Sequence, residues 1–190
     1  MRVLPSLAAL VRLHPGLRVP GAWDAWELAV RAVLGQQVSI LAAVTHARRI
    51  TERFGERLAE PDGSLSFLFP GPEALCEGDF TAIGLTRARA GTIRGLARAV
   101  LGGQLQMDAG QPPDEVIRRL CAIPGIGKWT AHYIAMRALR EPDAFPSGDL
   151  GLLRGMAKLE GKMSPASLDR RAEDWRPWRA YAVMYLWTYA

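Results

Sequence analysis

Apolar residues recur along this chain at three- and four-residue intervals, with no convincing alternating strand pattern, so the sequence predicts an all-α fold. Trp23-Asp24-x-x-Glu27-Leu28 reads as a helix start, with Asp24 as the cap, Glu27 completing a capping box and Trp23 stapling onto Leu28. Val30, Val33 and Leu34 carry that helix to Gly35. A second helix is predicted from Ser39 to Phe54, with Ile40, Val44, Ala47 and Ile50 near one face and Gly55 as its stop.

Residues 61–72, rich in Pro, Gly and Ser, read as a connection. Helices are predicted at 72–76 and 87–101, the second ending at Gly102-Gly103. Pro112-Pro113-Asp114 opens a helix carrying Val116, Ile117 and Leu120. Pro124-Gly125-Ile126-Gly127 interrupts it, and Lys128 to Leu139 resumes the helical pattern. Pro142, Pro146 and Gly148 mark another break and place a lobe boundary near Glu141. The last helix is expected to begin at Pro177 and run through an aromatic-rich stretch to the end.

A chain of 190 residues forms one domain or two small lobes sharing a cleft. With 49% hydrophobic and 23% charged residues, the composition argues against wholesale disorder. Lys and Arg number 24 against 19 Asp and Glu, and the net charge of +5 favours a polyanionic partner without identifying one. The two cysteines, Cys76 and Cys121, exclude a disulfide scaffold, a four-cysteine zinc site and a four-cysteine iron–sulfur cluster. The longest uncharged apolar run, 32–47, contains Gln36, Gln37 and Ser39 and is too short to span a bilayer. Residues 3–11 are apolar but hold Pro5 and show no cleavage site. The expectation is a soluble, reduced, cytoplasmic protein.

The segment around 114–139 is the most specific: a helix, a Pro-Gly-Ile-Gly turn, then a helix beginning Lys128-Trp129-Thr130. Gly125 and Gly127 permit backbone conformations and close approaches that side chains obstruct. The amides of Gly125, Gly127 and Lys128 would then face outward at a helix N-terminus, the geometry of a phosphate site. An ordinary tight helix–helix turn fits the tetrapeptide about equally well. The basic charge and the preceding Ile123 favour DNA.

Residues Ile123 to Ala131, followed by Phe145-Pro146-Ser147-Gly148-Asp149, resemble the helix-hairpin-helix DNA glycosylase superfamily, and within it the alkylated-base branch, 3-methyladenine DNA glycosylase II. The resemblance extends upstream to Val30–Ser39 and downstream through Trp175-Arg176-Pro177-Trp178-Arg179 to Leu186-Trp187, covering most of the chain from about Trp23. It implies two helical lobes with the active cleft between them. One lobe would comprise 24–141 with the hairpin. The other would comprise 1–23 and 142–190 and carry the catalytic carboxylate. At this length the chain is not expected to carry the additional N-terminal sheet domain of larger bacterial members. Gln37 stands where some relatives place an apolar residue that wedges into DNA.

The resemblance makes Asp149 the catalytic residue. Cleaving an N-glycosidic bond builds positive charge on the sugar, which a nearby carboxylate stabilises while orienting a water. A helix cap is the commoner role for Asp after Gly, but the twenty-residue spacing from Trp129 favours catalysis. In relatives that also cut the strand, a lysine nucleophile occupies the position of Trp129. Lys128, one residue earlier, is rotated about 100° around the helix, so no lyase activity is expected.

Trp129, Tyr133 (one turn later) and Trp187 are expected to wall a base pocket, where an alkylated, cationic base gains cation–π attraction. Plain hydrophobic packing is the alternative for any one aromatic, and suits some of Trp23, Trp26, Trp175, Trp178, Tyr181 and Tyr185. DNA contacts are expected from Gly125, Gly127, Lys128, Thr130 and Gln37. Arg87, Arg94 and Arg98 share a helical face that suits phosphate, although a solvated basic face is the preferred reading. By the same resemblance, the backbone carbonyls of Cys121, Ile123 and Ile126 can hold a structural monovalent cation, and no cofactor is required.

The expected function is that of a monomeric, nucleoid-associated, monofunctional DNA glycosylase. It would excise 3-methyladenine and 7-methylguanine from duplex DNA by base flipping in base excision repair. A non-catalytic helix-hairpin-helix DNA-binding module is the alternative, and a basic helical adaptor a third.

Overall fold

The computed structural model describes residues 5–63, 65–107 and 111–190, which form ten α-helices and one small hairpin. In chain order these are α1 (Pro5–Leu13), α2 (Ala25–Leu34), α3 (Ile40–Phe54), β1 (Arg57–Asp62), β2 (Leu65–Phe67), α4 (Pro72–Cys76), α5 (Arg87–Leu101), α6 (Pro113–Cys121), α7 (Lys128–Ala138), α8 (Leu150–Glu160), α9 (Pro165–Ala172) and α10 (Arg179–Tyr189).

Local chemistry sets many helix ends. The side chains of Asp24, Ser39 and Thr86 accept the N–H groups of Glu27, Ala42 and Arg89 at 2.6, 3.2 and 3.3 Å. Each satisfies a donor that the helix itself leaves orphaned, typically worth ~1 kcal/mol. The box at α2 is only half made, because Glu27 turns to Arg31 at 2.6 Å. The expected Trp23 staple does not form, and Trp23 is fully exposed. The entry to α2 is set by α7 instead, through Ala22 N–H to Arg137 O at 3.0 Å and Arg137 Nε to Pro20 O at 2.6 Å.

Only half of the apolar stripe on α3 reaches the core. Ala47 and Ile50 are buried, whereas Ile40 and Val44 are exposed along a groove they share with Arg31, Val38 and Tyr133. The segment expected as a connection begins inside an antiparallel hairpin, with Arg57 opposite Phe67 and Asp62 opposite Leu65. Its strands are mostly exposed, so no alternation of burial marked them in the sequence.

Two buried clusters organise the rest. One gathers Val33, Leu34, Ile50, Ile93, Leu96 and Leu120 from α2, α3, α5 and α6. The other gathers Leu10 of α1 with Leu152, Met156, Leu168, Val183 and Leu186 of α8, α9 and α10. Helix α7 belongs to both, because Ala131 and Ile134 face the first cluster while Ala135 and Met136 face the second. Small alanines let one helix be buried on two sides, and the two clusters are thereby held on one rigid element.

Helices α8 and α10 approach closely at Gly155, where a Cβ would lie 2.5 Å from Leu186 O. That contact sets Trp187 beside the start of α8. No helix among the described residues is long and apolar enough to cross a membrane.

Candidate active site

The hairpin between α6 and α7 is locked before any ligand arrives. Gly125 has φ 92, and a Cβ there would lie 2.0 Å from Thr92 Oγ1, so only glycine fits. The buried Thr92 hydroxyl lies 3.0 Å from Pro124 O and 3.1 Å from Ala88 O, tying the turn to α5. Gly127 differs. Its φ of −87 suits any residue, and a Cβ would meet no atom within 4 Å. The room it leaves lies outside the protein, at the start of α7.

The first amides of α7, those of Lys128, Trp129 and Thr130, have no intrahelical acceptor, and no side chain caps them at the positive end of the helix dipole. Lys128 is exposed beside them. The Thr130 side chain departs from the expected DNA contact. It is buried, and its Oγ1 accepts from Gln36 Nε2 at 3.0 Å.

Asp149 opens α8 and receives three N–H groups. Its Oδ1 accepts from Leu152 N at 2.9 Å and Trp187 Nε1 at 2.9 Å, and its Oδ2 accepts from Trp129 Nε1 at 2.8 Å. Trp129 stacks on Tyr133, with centroids 5.3 Å apart and planes at 8°. Tyr133 faces Trp187 at 6.4 Å and 47°. Helices α7, α8 and α10 thus bring Asp149 and the three expected aromatics together.

The loop leading to Asp149 is held at several points. Phe145 is buried in a T-shaped contact with Trp175, and its N–H meets His132 Nδ1 at 3.4 Å. Burial, with Arg179 nearby, pushes the His132 pKa below its ordinary value, which favours the neutral ring as an acceptor. Ser147 Oγ lies 2.7 Å from both Asp169 carboxylate oxygens. Beyond the loop, a cleft of about 690 Å³ opens between Gln36, Gln37, Gly127, Trp129, Asp149 and Leu150.

The sequence model for "HhH-GPD superfamily base excision DNA repair protein" matches residues 30–179, taking in the hairpin, the cleft and Asp149. The chain belongs to the HhH-GPD superfamily. It is 38% identical over 185 residues to DNA-3-methyladenine glycosylase 2 of Escherichia coli, an alignment covering 96% of this chain and 64% of that protein. It is 43% identical over 184 residues to the probable bifunctional transcriptional activator/DNA repair enzyme AlkA of Mycobacterium tuberculosis, covering 97% of this chain and 37% of that one. The chain therefore spans less than two thirds of the length of these curated relatives. Among solved structures, it resembles 3-methyladenine DNA-glycosylase from Archaeoglobus fulgidus, with a TM-score of 0.80 at 26% identity over 97% of this chain and 65% of that one.

Within this HhH-GPD chain, other expected contacts sort differently. Arg94 is not part of a solvated face, because it donates to Gly78 O at 2.7 Å and lies over the Phe80 ring. Arg98 pairs with Glu77 at 3.2 Å, while Arg87 stays exposed. Gln37 lies exposed at the cleft rim with φ 53.

Sequence reasoning passed over Gln36, which joins the turn before α3 to the hairpin. Its signal was a pair of glutamines after Gly35 in an otherwise apolar run. No group of three or more His, Cys, Asp or Glu that could hold a metal occurs among the described residues.

Proposed function

We propose that this HhH-GPD chain is a DNA glycosylase that flips alkylated purines out of duplex DNA and hydrolyses their N-glycosidic bonds. The observation that carries this reading is the Asp149 carboxylate, held between two indole N–H groups at the edge of a cleft that begins at an uncapped helix N-terminus. The names of the relatives, 3-methyladenine glycosylases, support the same chemistry.

The hairpin amides and Lys128 take a backbone phosphate. The extruded base lies against the aromatic walls, and Gln37 fills part of the gap it leaves. Tyr133 and Trp187, at 6.4 Å, stand closer than the roughly 7–8 Å needed for two stacking contacts of about 3.5–4.0 Å each, so a base inserted between them pushes them apart.

As the C1′–N bond breaks, its electrons leave with the base and positive charge develops on the sugar beside Asp149. A carboxylate has about four lone-pair sites, and three N–H donors occupy three of them here. The remaining site, on Oδ2, orients the attacking water and receives its proton as the oxygen bonds to C1′.

No lysine lines the cleft, and the lyase position holds Trp129, whose N–H is committed to Asp149. This supports hydrolysis without strand cleavage. No donor among the described residues reaches the carbonyls of Cys121 and Ile126, while that of Ile123 accepts from Ile126 N at 3.0 Å. This arrangement suits a structural monovalent cation.

The decisive experiment is release of free base from methylated duplex DNA by the wild type and by Asp149→Asn, with borohydride added to trap any covalent adduct. Base release that requires Asp149 without an adduct supports a monofunctional enzyme. Tight DNA binding without base release would leave a non-catalytic binding module.

A further inference from the structure

The turn between α2 and α3 holds Gln37 in the left-handed backbone region, which a side chain other than glycine adopts only when its surroundings enforce it. The Gln37 side chain makes no hydrogen bond to described residues and cannot supply that enforcement. Its neighbour can. Gln36 Nε2 lies 3.0 Å from Gly125 O and 3.0 Å from Thr130 Oγ1, so one amide grips both the hairpin and the first turn of α7. The main-chain carbonyl of Gln36 accepts Arg89 Nη2 at 2.6 Å from the first turn of α5. The hairpin is separately fastened to α5 through Thr92 and Pro124. Three segments, separated from Gln36 by 53, 89 and 94 residues along the chain, therefore converge on it.

The choice of Arg89 is informative. At the mouth of a cleft facing a polyanion, a guanidinium would ordinarily be left free for phosphate. This one is half-buried and committed to a neutral carbonyl one residue before the cleft rim.

We propose that Gln36 and Arg89 are positioning residues that make the Gln37 turn and the phosphate-gripping hairpin a single rigid unit. This rests on the glycosylase reading above. Once the hairpin seats on the backbone, the depth of Gln37 in the base stack is then set, and the cost of ordering the inserted residue has been met in folding.

The proposal makes the effects of Gln36 and Arg89 run through Gln37, which a purely structural role would not require. The test compares wild type with Gln36→Ala, Arg89→Ala, Arg89→Lys, Gln37→Ala and the Gln36→Ala/Gln37→Ala double variant. Single-turnover base release is measured at saturating enzyme, with 7-methylguanine paired in a duplex and unpaired in a bulge. A 2-aminopurine beside the lesion reports unstacking independently of bond cleavage, and circular dichroism checks the fold.

Arg89→Ala should slow release from paired duplex by about tenfold or more while changing the unpaired rate by less than about twofold, and Gln36→Ala, which removes a side chain that also lines the cleft, should lose several-fold more from paired than from unpaired DNA. Both should lower the 2-aminopurine signal as Gln37→Ala does. Arg89→Lys should restore part of it, and adding Gln36→Ala to Gln37→Ala should cost less than about twofold more. If Gln36→Ala does not fold, Arg89→Ala, which leaves the Gln36 amide in place, carries the same comparison. Additive losses, or equal losses in both DNA contexts with the fold intact, would overturn the proposal. A wild type that releases no base would defeat the glycosylase reading, and the 2-aminopurine signal would still decide whether Gln36 and Arg89 act through Gln37.

Discussion

Trp129 and Asp149, twenty residues apart, are joined by an N–H···O bond of 2.8 Å between the indole and carboxylate Oδ2. The bond ties a candidate pocket wall to the candidate catalytic group. The geometry of Asp149 is therefore sensitive to both helices that flank it.

Asp149→Asn should reduce base release by at least ~10²-fold, the scale on which single electrostatic contacts to a transition state act, with DNA affinity nearly unchanged. The substitution removes the charge. It also puts an amide NH₂ where one carboxylate oxygen stood, so one of the two indole N–H groups faces a donor instead of an acceptor. Single-turnover release and binding to undamaged duplex are the two measurements.

Trp187→Phe keeps a ring facing Tyr133 and deletes the N–H that reaches Asp149 Oδ1. A hydrogen bond to a charged acceptor contributes about 1.5–3 kcal/mol, so release should slow by roughly tenfold or more. The loss should fall on the single-turnover rate and leave DNA affinity almost untouched.

Gly127→Glu should fold normally, because a Cβ at Gly127 meets open space. Its carboxylate would repel phosphate from the start of α7, weakening damaged and undamaged duplexes alike. Filter binding across a salt series checks this, since a lost phosphate contact also flattens the salt dependence.

Gly155→Ala should destabilise the protein by about 1–3 kcal/mol, since the new methyl group meets the Leu186 backbone and not a yielding side-chain tip. A drop of a few degrees in Tm per kcal/mol is the expected scale. Base release should fall as well, because the same contact sets Trp187 against Asp149. Thermal denaturation and the single-turnover assay read the two effects separately.

Cationic lesions should leave faster than neutral ones. The cleft offers a carboxylate and the Trp129 ring, which stacks on Tyr133, but no lysine or histidine to protonate a departing neutral base. A base alkylated at a ring nitrogen already carries its positive charge and gains ~0.5–2 kcal/mol per aromatic face. Single-turnover release of 3-methyladenine or 7-methylguanine should therefore outpace hypoxanthine. Equal rates would require an acid outside the cleft residues described.

Much of the helical framework was legible because its signals are local. Asp24, Ser39 and Thr86 cap within three residues of themselves, and Gly35, Gly55 and Gly102 mark the helix ends, although none of the three takes a left-handed φ. The Pro-Gly-Ile-Gly turn was legible for the same reason. Asp149 carries a cap signal for α8, but Gly151 and Gly155 blur the apolar period that would give its extent, and the polar α9 after Ser164-Pro165 shows no apolar period to mark it. The hairpin at 57–67 escaped because its bonds join exposed backbone, which leaves no trace in side-chain pattern.

The amino-acid sequence by itself determined an all-α chain, a hairpin with a free helix N-terminus after it, and the residue types of the site. Tertiary structure decided what those residues touch. Trp23 had a local partner in Leu28, but α7 captured the chain entry and left the indole in solvent. Thr130 is among the expected DNA contacts, and its hydroxyl is held by Gln36, 94 residues away along the chain. Asp149 posed a choice between helix cap and site carboxylate, and the fold makes the same side chain cap α8 while meeting two indoles from α7 and α10. Propensity and capping act over three or four residues and are written in the local order of the chain. Contacts between residues 38 and 94 positions apart form only when packed cores bring distant helices within hydrogen-bond reach.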